Sequence, residues 1–286
     1  MKVAFIGLGV MGYPMAGHLQ KAGMQVTVYN RTAQRAEKWC AEFGGNMAPT
    51  PAAAAMDCKI VLVCVGNDAD VRQVILGQTG ALSSMSQGAV LVDHTTASAK
   101  LARELYAAAR QKQIGFLDAP VSGGQAGAEN GKLTVMVGGD EQDYTVAKSA
   151  FDAYSRFSKL LGGSGSGQLA KMVNQICIAG VVEGLAEGLN FAMHAGLDGE
   201  ALIETISKGA AGSWQMENRY KTMLAGKYDF GFAVDWMRKD LGIALEEASE
   251  NGAKLPLIEL VDKYYAEIQA QGGGRLDTSS LLKRYR

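Results

Sequence analysis

The sequence predicts an α/β first half, built on a parallel sheet covered on both faces, followed by an all-α second half. Three observations predict it. Short apolar, β-rich runs alternate with helix-patterned segments through the first half, as in a mainly parallel sheet. Runs such as "IVLVCV" are apolar throughout, as strands buried on both faces are. After the Gly/Ser cluster "LLGGSGSG" (160–167) the pattern turns almost wholly helical, and such a cluster is a natural domain boundary. The expected domains are 1–162 and 163–286, with a cleft between them.

The elements follow in order. "KVAFIGLG" is a strand, and "YPMAGHLQKAG" is a helix closed by Gly23. "QVTVYN" is the next strand. "TAQRAEKWCAEFG" is a helix with Thr32 at its start and Gly44 at its end, residue types suited to those caps. "KIVLVCVG", "AVLVDHTT" and "GFLDAPVSGG" are strands, with the helix "SAKLARELYAAARQKQ" between the last two. "KLTVMVGG" and the helix "DEQDYTVAKSAFDAYS" complete the first half. The second half opens on a helix from about Gln168 to Ala195, where Gly180, Gly184 and Gly188 recur every four residues. Each glycine costs a helix about 1 kcal/mol relative to alanine. The stripe therefore predicts close packing of another helix, within the chain or between subunits.

A formal charge of −1 with no Lys/Arg block argues against nucleic acid as a partner. No apolar run is read as long enough for a membrane span. The N-terminal "MKVAFIGLGV" is read as a strand rather than a signal peptide, which gives the expectation of a cytoplasmic protein. Cys40, Cys58, Cys64 and Cys177 form no C-x-x-C pair and do not cluster with His18, His94 or His194. No metal site or disulfide framework is expected.

"GLGVMG" spaces Gly7, Gly9 and Gly12 as G-x-G-x-x-G, with Leu8, Val10 and Met11 between them. The motif follows a strand and opens a helix, the context that gives it meaning. Gly7 permits the tight turn, Gly9 lets a pyrophosphate approach, and Gly12 lets helix and strand pack closely. The first half thus reads as a Rossmann dinucleotide-binding domain. An NAD site carries an Asp or Glu about 20 residues on, but here Asn30, Arg31 and Thr32 end the second strand and the first acidic residue is Glu37. An arginine forks onto a 2′-phosphate, and Arg35 adds positive field. NADP(H) is therefore preferred, with NAD(H) compatible if Arg31 only stacks on the adenine.

The turn "DAPVSGG" offers the Ser122 hydroxyl and the N–H groups of Gly123 and Gly124 to an anion such as a substrate carboxylate. In "AKMVNQICIAG", Lys171, Asn174 and Gln175 share one helix face. A nicotinamide reaction needs a proton donor or acceptor beside the hydride. Lys171 suits that role, while a salt bridge to Asp118 or Asp240 is the structural alternative.

"GLGVMG", "DAPVSGG", "GSGQLAKMVNQ" and "RKDL" occur in the order and at the spacing of the β-hydroxyacid dehydrogenases, and the resemblance covers essentially the whole chain. The chain resembles the 3-hydroxyisobutyrate dehydrogenase and tartronate semialdehyde reductase family. The resemblance implies an NADP(H)-binding Rossmann domain and a helical domain resembling that of 6-phosphogluconate dehydrogenase, serving substrate binding and oligomerisation. It implies a catalytic Lys171 aided by Asn174, and a small carboxylate held by Ser122, Gly123 and Gly124. Members with an Asn four after the lysine place Gln175 at the substrate. Thr96, Lys239, Asp240, Val65, Gly66 and Asn67 match residues around cofactor and substrate, although the family more often has Leu-Pro-Asn at 65–67. Trp214 either lines the substrate pocket or caps the helical core. Arg219 binds a second acid group or makes an ion pair. His94, where many members have Met or Cys, is a neutral hydrogen-bonding residue or a relay. A homodimer or homotetramer is implied. Reduction of a longer substrate such as succinic semialdehyde, and a non-catalytic dinucleotide-binding module, are the alternatives.

Overall fold

In the computed structural model, which describes residues 1–286, the chain divides into two compact units, Met1–Lys171 and Met172–Arg286. The boundary expected at 162–163 lies inside the first unit. The cause is local: the N–H groups of Gly165 and Gln168 bind the Asp118 carboxylate, which anchors this stretch to the sheet.

In the first unit, β1 (Lys2–Ile6), β2 (Gln25–Tyr29), β3 (Asn46–Met47), β4 (Ile60–Val63), β5 (Val90–Asp93) and β6 (Gly115–Asp118) are parallel, in the order β3-β2-β1-β4-β5-β6. Successive residues of a strand bury opposite faces. Phe5 and Leu62 enter one core, and Ile6 and Val63 the other. The single strand expected at "GFLDAPVSGG" is two, β6 and β7 (Val121–Ser122). Pro120, which has no N–H for a ladder, lies at the break. β8 (Leu133–Gly139) runs antiparallel to β6 and β7, and β9 (Ser155–Leu160) parallel to β8.

The covering helices are α1 (Gly12–Lys21), α2 (Ala33–Phe43), α3 (Pro51–Ala55), α4 (Asp68–Leu76), α5 (Ala99–Gln111), α6 (Gly124–Glu129) and α7 (Glu141–Tyr154). Gly44 ends α2 in the left-handed region, as its type predicts, whereas the Thr32 side chain makes no capping bond. Asn67 and Ser98 cap α4 and α5 with their side chains.

The second unit is helical. α8 (Ser166–His194) starts within the first unit, and α9 (Gly199–Ile206), α10 (Trp214–Leu224), α11 (Val234–Asn251) and α12 (Pro256–Ile268) follow. Val182, Leu185 and Leu189 of α8 pack with Met223, Met237, Leu241, Val261 and Tyr265. By length and composition α8 matches a membrane span, contrary to the expectation that no run would. Lys171, Glu183 and Glu187 interrupt it, and Val182, Ala186 and Leu189 are buried in the helical core. The glycine stripe also differs from expectation. A Cβ on Gly180 would meet Leu257 of α12 at 3.3 Å, but one on Gly184 or Gly188 would meet nothing within 4 Å. Only the first position marks close packing within the chain.

Candidate active site

The strand order turns back on itself between β1 and β4, and ligands of such sheets bind beyond the carboxyl ends of the strands at that point. The glycine loop stands there. Gly7 has φ +98°, and a Cβ on it would lie 2.2 Å from the Cys64 carbonyl oxygen. A Cβ on Gly12 would lie 2.0 Å from the Gly7 oxygen, whereas around Gly9 there is nothing within 4 Å. The loop is thus pressed against the sheet at its ends and open at Gly9, which suits a pyrophosphate. Val10 is exposed and Met11 half-buried, while the Leu8 side chain lies in the core. Leu8 gives its N–H to Asn30 Oδ1 at 2.9 Å, and Asn30 Nδ2 donates to the Thr32 carbonyl. Asn30 is thereby a brace between the β1 and β2 loops. Arg31 is 83% exposed in its side chain, 3.6 Å from Asp70.

The loops after β4 and β5 are laced together. Val65 N donates to Thr95 Oγ1 at 3.0 Å, and Asp68 accepts from the Ser98 N–H and hydroxyl. Asn67 Oδ1 accepts from Asp70 N at 3.0 Å, so this candidate cofactor residue caps α4. Thr96 is half-buried.

Each residue from Asp118 to Ser122 has a distinct task. Asp118 is fully buried, and its two carboxylate oxygens accept from Gly165 N at 2.7 Å and Gln168 N at 2.9 Å. It caps α8, a role that its place at the end of an apolar strand did not reveal. The Ala119 carbonyl accepts from His94 Nδ1 at 2.6 Å, and that of Pro120 from Met136 N. The Val121 carbonyl accepts from Lys171 Nζ at 2.9 Å. Ser122 is half-buried and pairs with Thr134 in the β7–β8 ladder. Gly123 and Gly124 have φ of +132° and +60°, a region that side chains disfavour. Lys171 itself is 7% exposed.

His94 is buried, with Nε2 2.8 Å from the Tyr154 hydroxyl. Nδ1 faces a carbonyl and must carry the hydrogen, so Nε2 accepts from Tyr154. Burial lowers the His94 pKa to about 4. Burial likewise pushes Asp93 up to about 7, although its hydrogen bonds from Thr95 favour the charged form. These shifts have opposite consequences. Between about 4 and 7 folded Asp93 holds a proton that the unfolded chain releases, so its contribution to stability falls as pH rises. Between about 4 and 6.5 unfolded His94 holds a proton that the folded chain excludes, so its contribution rises. The two slopes oppose each other. We expect stability of Asp93→Asn to rise with pH across this window relative to wild type, and that of His94→Gln to fall. Denaturant midpoints at several pH values check this, and parallel profiles would refute it.

In the second unit, Gln175 is 2% and Asp240 1% exposed. Gln175 Nε2 donates to Asp240 Oδ2 at 2.7 Å and its Oε1 accepts from Asn174 Nδ2 at 2.8 Å. Lys239 Nζ lies 3.0 Å from Asp240 Oδ1. Gln175 is thus bound into a polar cluster, whereas Asn174 is half-buried at the edge of it. Trp214 is 54% exposed, so it does not cap the helical core. Arg219 makes an ion pair with buried Asp277 at 3.3 Å, its guanidinium 4.9 Å from the Trp214 ring centre and 5.1 Å from that of Phe230.

A dinucleotide loop, a serine-glycine turn and a buried lysine bonded to that turn define the class, an NAD(P)-dependent oxidoreductase. Comparison with known proteins gives the particular family. The family described as the NAD binding domain of 6-phosphogluconate dehydrogenase matches residues 2–174, and that described as NAD-binding of NADP-dependent 3-hydroxyisobutyrate dehydrogenase matches residues 165–285. An uncharacterised oxidoreductase of Shewanella frigidimarina is 65% identical over 99% of this chain and 97% of its own. The 2-hydroxy-3-oxopropionate reductase of Escherichia coli is 32% identical over 99% of this chain and 96% of its own. A crystal structure of 3-hydroxyisobutyrate dehydrogenase from Salmonella typhimurium superposes with a TM-score of 0.89 at 30% identity, covering 99% of both chains. The chain belongs to the 3-hydroxyisobutyrate dehydrogenase family of oxidoreductases, which act on hydroxy acids.

Proposed function

We propose that the enzyme is an NADP(H)-preferring oxidoreductase interconverting a small semialdehyde or keto acid and its hydroxy acid, with Lys171 as the proton donor and acceptor. The observation that carries this reading is the bond from buried Lys171 Nζ to the Val121 carbonyl, immediately before Ser122. The bond holds the Lys171 side chain beside the turn that this reading assigns to the substrate carboxylate.

The glycine loop, the Arg31 region, the 65–67 loop and Thr96 would hold the cofactor, and the space around Gly9 fits its pyrophosphate. When bound, the nicotinamide supplies or accepts the hydride. The protein's own residues do the rest. Ser122 and the N–H groups of Gly123 and Gly124 bind the carboxylate. Lys171 gives its proton to the carbonyl oxygen in reduction, and in the neutral form takes the hydroxyl proton in oxidation. Asn174, one turn on along α8, orients that oxygen without adding charge. Arg31 would hold the 2′-phosphate of the cofactor.

The test is NADPH absorbance on addition of 2-hydroxy-3-oxopropionate, 2-methyl-3-oxopropionate, succinic semialdehyde and the methyl ester of the last. Turnover is expected with acids and not with the ester; an ester as good as its acid would defeat the carboxylate turn. In the same assay Arg31→Asp should weaken NADPH at least about tenfold more than NADH, the worth of one charge-assisted hydrogen bond. Equal effects on both would sink the NADP(H) preference.

A further inference from the structure

We propose that Gln168 is a positioning residue that locks the Lys171 helix to the cofactor loop carrying Thr96. This inference rests on the proton-transfer role of Lys171 and the cofactor role of Thr96 given above.

Gln168 stands one turn before Lys171 on α8 and is 1% exposed. Its amide is used at both ends. Oε1 accepts from Ala97 N at 3.0 Å, and Nε2 donates to the Thr95 carbonyl at 2.7 Å. These two partners flank Thr96. A single side chain thus fixes the backbone on either side of the residue expected to meet the cofactor. Its own backbone is fixed as well, since Gln168 N donates to Asp118 Oδ2 at 2.9 Å.

The consequence is mechanical. Thr95 carries the lacing onward, because its hydroxyl accepts from Val65 N at 3.0 Å and its N–H donates to Asp93 Oδ1 at 2.9 Å. A shift of the 95–97 loop therefore moves Gln168, and a shift of Gln168 moves the turn of α8 that ends at Lys171. Hydride transfer and proton transfer must act on adjacent atoms of one substrate, and a misplacement of about 1 Å costs about a hundredfold in rate. Only a side chain with a donor and an acceptor at this reach satisfies both backbone groups. A buried N–H or carbonyl left without a partner is costly.

The test uses the full-length enzyme and two variants. Gln168→Met keeps the length and loses both bonds; Gln168→Glu keeps the acceptor for Ala97 N and loses the donor to Thr95. Three quantities are read: amide hydrogen exchange of the 95–97 segment, NADPH affinity by fluorescence titration, and kcat per folded molecule with the best acid of the panel above. For Gln168→Met we expect faster exchange at Ala97, NADPH affinity lowered several-fold, and kcat lowered about tenfold to a hundredfold. Gln168→Glu should fall between this variant and wild type, with kcat recovering as the pH is lowered and its carboxyl regains a hydrogen to donate. That recovery separates positioning from a general loss of fold, and it is read on Gln168→Glu even if Gln168→Met does not fold. Wild-type kcat and NADPH affinity in folded Gln168 variants, beside an inactive Lys171→Ala, would overturn the positioning role alone. Full turnover by Lys171→Ala would instead overturn the mechanism on which it rests.

Discussion

Gly7→Ala should fail as a stability mutation, while Gly9→Ala should fail only as a binding mutation. At Gly7 the added Cβ would lie 2.2 Å from the Cys64 carbonyl oxygen, on a backbone at φ +98°. Neither cost can relax cheaply, because Gly7 N is bound to the Tyr29 carbonyl and Cys64 N to that of Ile6. Strain and overpacking together should cost at least about 3 kcal/mol. The expected reading is a large fall in the melting temperature with or without NADPH. At Gly9 the same methyl group meets nothing within 4 Å, so the melting temperature should hold. The methyl would occupy space meant for the pyrophosphate, and NADPH affinity should fall at least about tenfold, or about 1.4 kcal/mol. Thermal melting beside a fluorescence titration separates the two. Equal stability losses in both variants would contradict the reading of Gly9 as the open point of the loop.

The other large effect concerns Lys171. Lys171→Ala should lower kcat by about 10² to 10⁴, the range for loss of a positioned general acid. NADPH affinity should stay close to wild type. The substitution also leaves the Val121 carbonyl without its bond from Nζ, a cost of about 1–3 kcal/mol, so some loss of stability accompanies it. Lys171→Arg distinguishes charge from proton transfer. It keeps the positive charge and can still donate to a carbonyl, but a guanidinium does not give up its proton near neutral pH. Lys171→Arg should therefore keep substrate binding and lose turnover. Recovery of most of kcat in Lys171→Arg would mean that the lysine acts only as a fixed charge.

Much of the fold was legible because it rests on local signals. The apolar strands, the glycine motif after β1 and the Gly44 cap each announce themselves within a few residues. The split of β6 from β7 was signalled too, by Pro120, yet the apolar run hid it. Less legible were features set by distant partners. Asp118 read as a possible ion-pair partner of Lys171, whereas its carboxylate caps α8 through Gly165 and Gln168. Nothing near Asp118 in sequence marks Gly165, 47 residues later, as its partner before α8. The role of Gln168 is hidden in the sequence for the same reason, since Thr95 and Ala97 are its partners only in the fold. The bonding of Gln175 is likewise long-range. The partner that holds Gln175, Asp240, lies 65 residues beyond it. The glycine stripe shows the opposite failure, a clear local pattern whose partner within the chain exists at Gly180 only.

Proton transfer by Lys171 is isolated in the single-turnover rate of NADPH oxidation by Lys171→Ala, with NADPH and the semialdehyde acid both saturating. Lys171→Ala should slow the chemical step by at least about a hundredfold, with saturable binding of both ligands preserved. A burst at the wild-type rate would contradict it.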